Sequence, residues 1–105
     1  MSKYLFLVTV GNIDEGKEIA RTLVESKLAA CVNIIQNITS IYEWEGKIEK
    51  DNEHLLFIKT SEEKSDLLIK KVHEIHSYEN PECIGFKIEK GSKTYLDWIS
   101  EVVNK

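Results

Sequence analysis

The chain has 105 residues, 42% hydrophobic and 30% charged, with a formal charge of −4. Those values describe one folded domain, expected over residues 1–105, and exclude both disorder and dependence on disulfides or a structural metal. No Lys/Arg cluster offsets the acidic excess, which argues against a nucleic-acid partner, and no apolar run approaches the ~20 residues of a membrane span.

Tyr4–Val10 is an unbroken run of strand-forming residues, as expected for a strand covered on both faces. It has the length of a signal peptide's apolar region. Gly11, Asn12 and Asp14 follow without a small-residue cleavage pattern, so a first strand and a cytoplasmic protein are expected. Ile19, Leu23, Val24 and Leu28 recur at helical spacing, which predicts a helix over 14–27 with Asp14 as N-cap. From Ala29 to Trp44 the even positions Val32, Ile34, Ile38, Tyr42 and Trp44 alternate as in a strand. Glu45-Gly46-Lys47 supplies a turn, and Ile48–Thr60 returns as the second arm of a long hairpin. Ser61 is placed to cap the next helix, whose buried face carries Leu68, Val72 and Ile75. Pro81 ends it by disfavouring helix at Asn80. Ile84, Phe86 and Ile88 alternate as a last strand, and Tyr95, Leu96, Ile99, Val102 and Val103 predict a short C-terminal helix.

This order is α+β, a ferredoxin-like βαββαβ antiparallel sheet with helices on one face. The other face would also be apolar, through Ile35 and Ile41 on one hairpin arm and Leu55 and Phe57 on the other. An uncovered apolar face is normally an interaction surface. The arm over 29–44 would extend roughly 50 Å at ~3.3 Å per residue, against a radius of gyration near 13 Å for such a domain. It should overshoot the domain unless it bends or bulges. Closed symmetry would consume its edges without polymerisation.

Four ordered blocks carry a family resemblance: Leu28-Ala29-Ala30-Cys31-Val32-Asn33-Ile34; Ser40-Ile41-Tyr42-Glu43-Trp44-Glu45-Gly46-Lys47; Lys59-Thr60 with His76-Ser77-Tyr78-Glu79-Asn80-Pro81-Glu82; and Gly91 with Tyr95-Leu96-Asp97-Trp98. From about Tyr4 to Ile99 the chain resembles the CutA divalent-cation-tolerance family. The resemblance implies a ferredoxin-like fold, a homotrimer, a link to tolerance of divalent metals, copper especially, and no settled molecular activity. Two departures stand out. Ser77 replaces the family's usual proline, which predicts a less rigid helix end. Val8 stands where some bacterial relatives carry a cysteine proposed as a metal ligand.

The resemblance carries over Cys31, His76 and Glu79 as candidate metal ligands, and a thiolate and an imidazole suit copper or zinc. No cofactor is required, and a free cysteine is as readily a small buried residue. The resemblance also implies that Tyr42, Trp44, Lys59 and Tyr78 line a cleft between subunits, where they would suit a small anionic or polar molecule. The aromatic residues among them fit interface anchors equally. No nucleophile elbow, phosphate loop or metalloprotease motif is present, so no enzyme is expected. The expected function is a non-catalytic, metal-responsive trimer; the alternative is a small-molecule-sensing trimer.

Overall fold

The computed structural model describes residues 2–105. The elements are β1 (Lys3–Val10), α1 (Ile13–Glu25), β2 (Cys31–Trp44), β3 (Lys47–Ser61), a 3-10 turn (Glu62–Lys64), α2 (Ser65–Ile75), β4 (Cys83–Lys87) and α3 (Lys93–Val103). The sheet order is β2-β3-β1-β4, with every neighbouring pair antiparallel. That is the ferredoxin-like arrangement the element order predicts.

The core lies between one sheet face and the two crossover helices. Phe6, Val8, Val10, Leu56 and Ile58 meet Ile19 and Leu23 of α1 and Leu68 and Val72 of α2. Two expected caps differ from the observed ones. Asn12, not Asp14, caps α1: its side chain accepts from the N–H groups of Asp14 and Glu15 at 2.8 and 3.2 Å. Asn suits that position as well as Asp does, and one residue earlier its oxygen reaches two orphan donors. Ser61 makes no side-chain cap bond; its hydroxyl is buried without a partner, and a 3-10 turn intervenes before α2.

The hairpin turns through Glu45 and Gly46, with φ of 51° and 79° and Trp44 paired with Lys47. Two positive φ values in a two-residue loop are the turn whose twist matches the strands, and Gly46 adopts its value at no steric cost. The hairpin gives the molecule its 44 Å long axis, against 25 and 22 Å across.

β2 also bulges. Ile35 pairs with Leu55, but Ile38 pairs with Glu53, so Gln36 and Asn37 oppose His54 alone. Asn37 takes φ 62° and its N–H donates to His54 Nδ1 at 3.1 Å. An extra residue reverses the alternation. Before the bulge, Val32 and Ile34 pack on the helix side. Beyond it, Ile38, Tyr42 and Trp44 share a face with Glu53, Glu49 and Lys47, in the alternation of Leu55 and Phe57 on the opposite side. The even positions therefore do not form one continuous face, and Ile41 does not join Ile35 on the open side.

That open side is not bare throughout. α3 lies across one end of it, where Ile99 and Val103 bury against Ala30. The rest is the apolar face expected. Ile35, Ile84 and Phe86 are 46, 48 and 50% exposed, and Leu5, Leu7 and Phe57 beside them are half-buried.

Candidate functional site

Two polar corners interrupt the open face. The first is set by the strand register that pairs Cys31 with Lys59 and Lys59 with Leu5. Lys59 Nζ donates to Asn33 Oδ1 and stands 3.9 Å from Cys31 Sγ. Tyr95 of α3 neighbours the same cysteine; burial first, then Cys31, raises the Tyr95 pKa. Among the described residues no carboxylate lies within ion-pair distance of Lys59. The Tyr95 ring lies 5.4 Å from Trp98.

The second corner lies where β1 ends and the segment after α2 crosses it. His76 is buried, with its ring locked at both nitrogens. Nε2–H donates to the Thr9 carbonyl at 2.8 Å, and Nδ1 accepts from the Tyr78 N–H at 3.0 Å. This arrangement is the neutral imidazole with its proton on Nε2. Tyr78 stacks beside that ring at 4.7 Å, and its hydroxyl donates to Glu53 at 2.7 Å. Burial, reinforced by that bond, drives the Tyr78 pKa upward. Gly11 makes the reach possible: a Cβ there would come 2.7 Å from the Tyr78 hydroxyl.

The same segment is held from α1. Glu15 accepts from the Ser77 N–H at 2.7 Å and from the Ser77 hydroxyl at 2.9 Å. The expected loosening at Ser77 is therefore not found. A serine can donate twice where a proline donates nothing. Nearby, Tyr42 donates to Asp51, which with the Asp51 and Glu49 charges lifts its pKa to about 12. Glu82 is raised by burial and by the charge of Glu53.

Of the predicted metal ligands, His76 belongs to the second corner, Cys31 to the first, and Glu79 is exposed on the segment after α2. Thr9 pairs with Leu55, four β3 positions from Lys59, so His76 and Cys31 are separated by about 13 Å along the strand. Among the described residues no three His, Cys, Asp or Glu side chains are grouped to hold a metal. The predicted cleft set divides likewise. Tyr42 and Tyr78 reach the acidic corner, Lys59 the other, and Trp44 stands at the hairpin tip, half exposed. Sequence reasoning missed Glu53, Glu15 and His54. Glu53 is only 7% exposed, through a bulge and a distant tyrosine that no local pattern announces; Asn37 was the available hint, as a residue tolerant of positive φ. The other cysteine, Cys83, packs against the core, and burial lifts its thiol to about 11.

The model of the CutA1 divalent ion tolerance protein family matches residues 4–102. The chain belongs to that family. It is 52% identical over 96 residues to the Protein CutA homolog of Xenopus laevis, covering 91% of this chain and 64% of the frog protein. It is 42% identical to the divalent-cation tolerance protein CutA of Thermus thermophilus, covering 90% of this chain and 92% of that one. The structure of the periplasmic divalent cation tolerance protein CutA of Archaeoglobus fulgidus superposes with a TM-score of 0.93 at 42% identity, over 96% of this chain and 98% of that one. The chain spans only about half to two-thirds of several animal and plant relatives, among them 54% of the mouse protein. The family model and the Thermus and Archaeoglobus relatives carry the name of tolerance proteins.

A divalent cation does not fit the predicted ligands within one CutA1 chain. Both His76 nitrogens are engaged, and the Lys59 ammonium stands against the one thiol on the open face. No helix among the described residues is long and apolar enough to cross a membrane.

Proposed function

We propose that this CutA1 chain acts in the cytoplasm as a non-catalytic homotrimer in the response to divalent cations, copper foremost. The observation that carries this reading is the open face. Ile35, Ile84 and Phe86 are about half exposed around half-buried Leu5, Leu7 and Phe57. A contiguous apolar patch of this kind marks a protein interaction site. Both sheet edges, β2 and β4, are free to pair, and closed symmetry would use them up. Copper or zinc, in this reading, takes ligands from more than one chain, because Cys31, His76 and Glu79 are apart in a single one, and its binding has to displace a hydrogen bond of His76 and the Lys59 ammonium beside Cys31.

Two measurements test the proposal. Light scattering should give three times the 12.1 kDa of one chain; a stable monomer overturns it. Calorimetric titration of the assembled protein with copper(II) and with zinc should give stoichiometric binding that Cys31→Ala with His76→Ala abolishes. Absence of binding, or binding indifferent to that pair, removes these ligands.

One observation favours a second reading, a trimer that senses a small molecule. Lys59 is a half-buried cation with no carboxylate partner among the described residues. Such a group calls for a counter-charge from outside the chain.

A further inference from the structure

We propose that the Lys59 corner binds an oxyanion, a carboxylate or phosphoryl group of a small molecule, rather than a metal cation. This rests on the small-molecule reading above and gives it a ligand class.

The corner is built from donors. Lys59 Nζ has three protons and two neighbours, Asn33 Oδ1 and Cys31 Sγ. Because exposed Asn33 turns its oxygen to the lysine, the two N–H donors of its amide Nδ2 are left for another partner. Lysine and amide thus stand side by side, and among the described residues no carboxylate pairs with the lysine. Asp97, on the same helix as Tyr95, is held by Lys93 at 2.8 Å and is not turned to Lys59.

The surroundings raise the value of that charge. In the register, Leu5 lies beside Lys59 and Phe86 beside Leu5. An ammonium at the margin of such a surface is partly desolvated, and buried charge is ordinarily paired. A divalent cation at the Cys31 thiol would have an ammonium for a neighbour. An oxyanion would supply the missing charge and accept from the ammonium and the amide, and charge-assisted bonds are the strong ones.

Trp98, 5.4 Å from the Tyr95 ring, reports on this corner, and Trp44 reports on the distant hairpin tip. In Trp44→Phe protein, sodium phosphate and sodium succinate are titrated separately at constant ionic strength. The expected result is a saturable change in Trp98 emission with at least one of them. It should weaken at least tenfold in Lys59→Met and stay unchanged in Lys70→Met, a control on exposed α2. Phosphate alone, succinate alone, or both tells which oxyanion the corner prefers. A saturable response seen only from Trp44, in Trp98→Phe protein, overturns the anion corner while leaving the cleft reading standing. Silence from both tryptophans overturns both. Loss of assembly in Lys59→Met, with no response to either anion, also overturns the proposal by giving Lys59 a carboxylate of a second copy.

Discussion

Lys59 and Glu53 project from the same side of β3, six residues apart, about 20 Å by strand rise. Around Glu53 the polar groups satisfy one another. Tyr78 donates to the carboxylate, His76 uses both ring nitrogens, and Glu15 takes two bonds from Ser77. Around Lys59 the charge is left over. A closed network of buried polar groups holds a fold and offers a ligand little. A cation that meets an amide oxygen and a thiol but, among the described residues, no carboxylate has charge to spare. The residues most conspicuous in the sequence, His76 and Tyr78, thus serve position, and the plainer Lys59 is the better candidate for contact with another molecule.

The comparison breaks most visibly at His76. Replacing it with Leu strands the Thr9 carbonyl and the Tyr78 N–H, and should cost roughly 2–4 kcal/mol. Denaturant unfolding at fixed protein concentration measures it, since assembly couples stability to concentration. A cost near zero would mean the network is not closed. Next comes Tyr78→Phe, which leaves the buried Glu53 carboxylate without its donor and should cost about 1–3 kcal/mol. Gly11→Ala, by displacing the same hydroxyl, should cost at least as much. Lys59→Met keeps the aliphatic stem and removes a charge that no carboxylate among the described residues pairs. Its effect should stay within about 0.5–1 kcal/mol of zero; a loss as large as that at His76 would erase the distinction.

The smallest effect is the dependence on pH at Glu82. Its pKa is raised in the folded protein, by burial first and by Glu53 second. The folded state therefore holds its proton to higher pH than the unfolded state does. That contribution is fully present below the ordinary glutamate pKa and is lost as pH rises through the raised value. Glu82→Gln should flatten this fall, seen in unfolding midpoints across the weakly acidic range, and Glu53→Gln should lessen it. An unchanged pH profile in both would separate Glu82 from the network.

Much of this architecture was legible beforehand because it rests on short-range periodicity. Ile19 and Leu23 at helical spacing, the unbroken run of β1, and Glu45-Gly46 between two strands each specify an element locally, and their order admits few topologies. The apolar open face was also readable from Leu55 and Phe57. Only the tertiary structure decided how the chemistry divides. One extra residue at Gln36-Asn37 reverses every side chain beyond it, moving Tyr42 and Ile38 to the face of Glu53 and taking Ile41 away. The segment after α2 then closes on β1 through His76 and Tyr78, contacts between residues more than 20 positions apart. Strand alternation counts residues and cannot foresee an insertion, and a hydrogen bond across the fold leaves no period in the chain. The sequence by itself therefore determined the family and the sheet. Which polar groups are spent on the fold, and which remain for a ligand, was decided by packing in three dimensions.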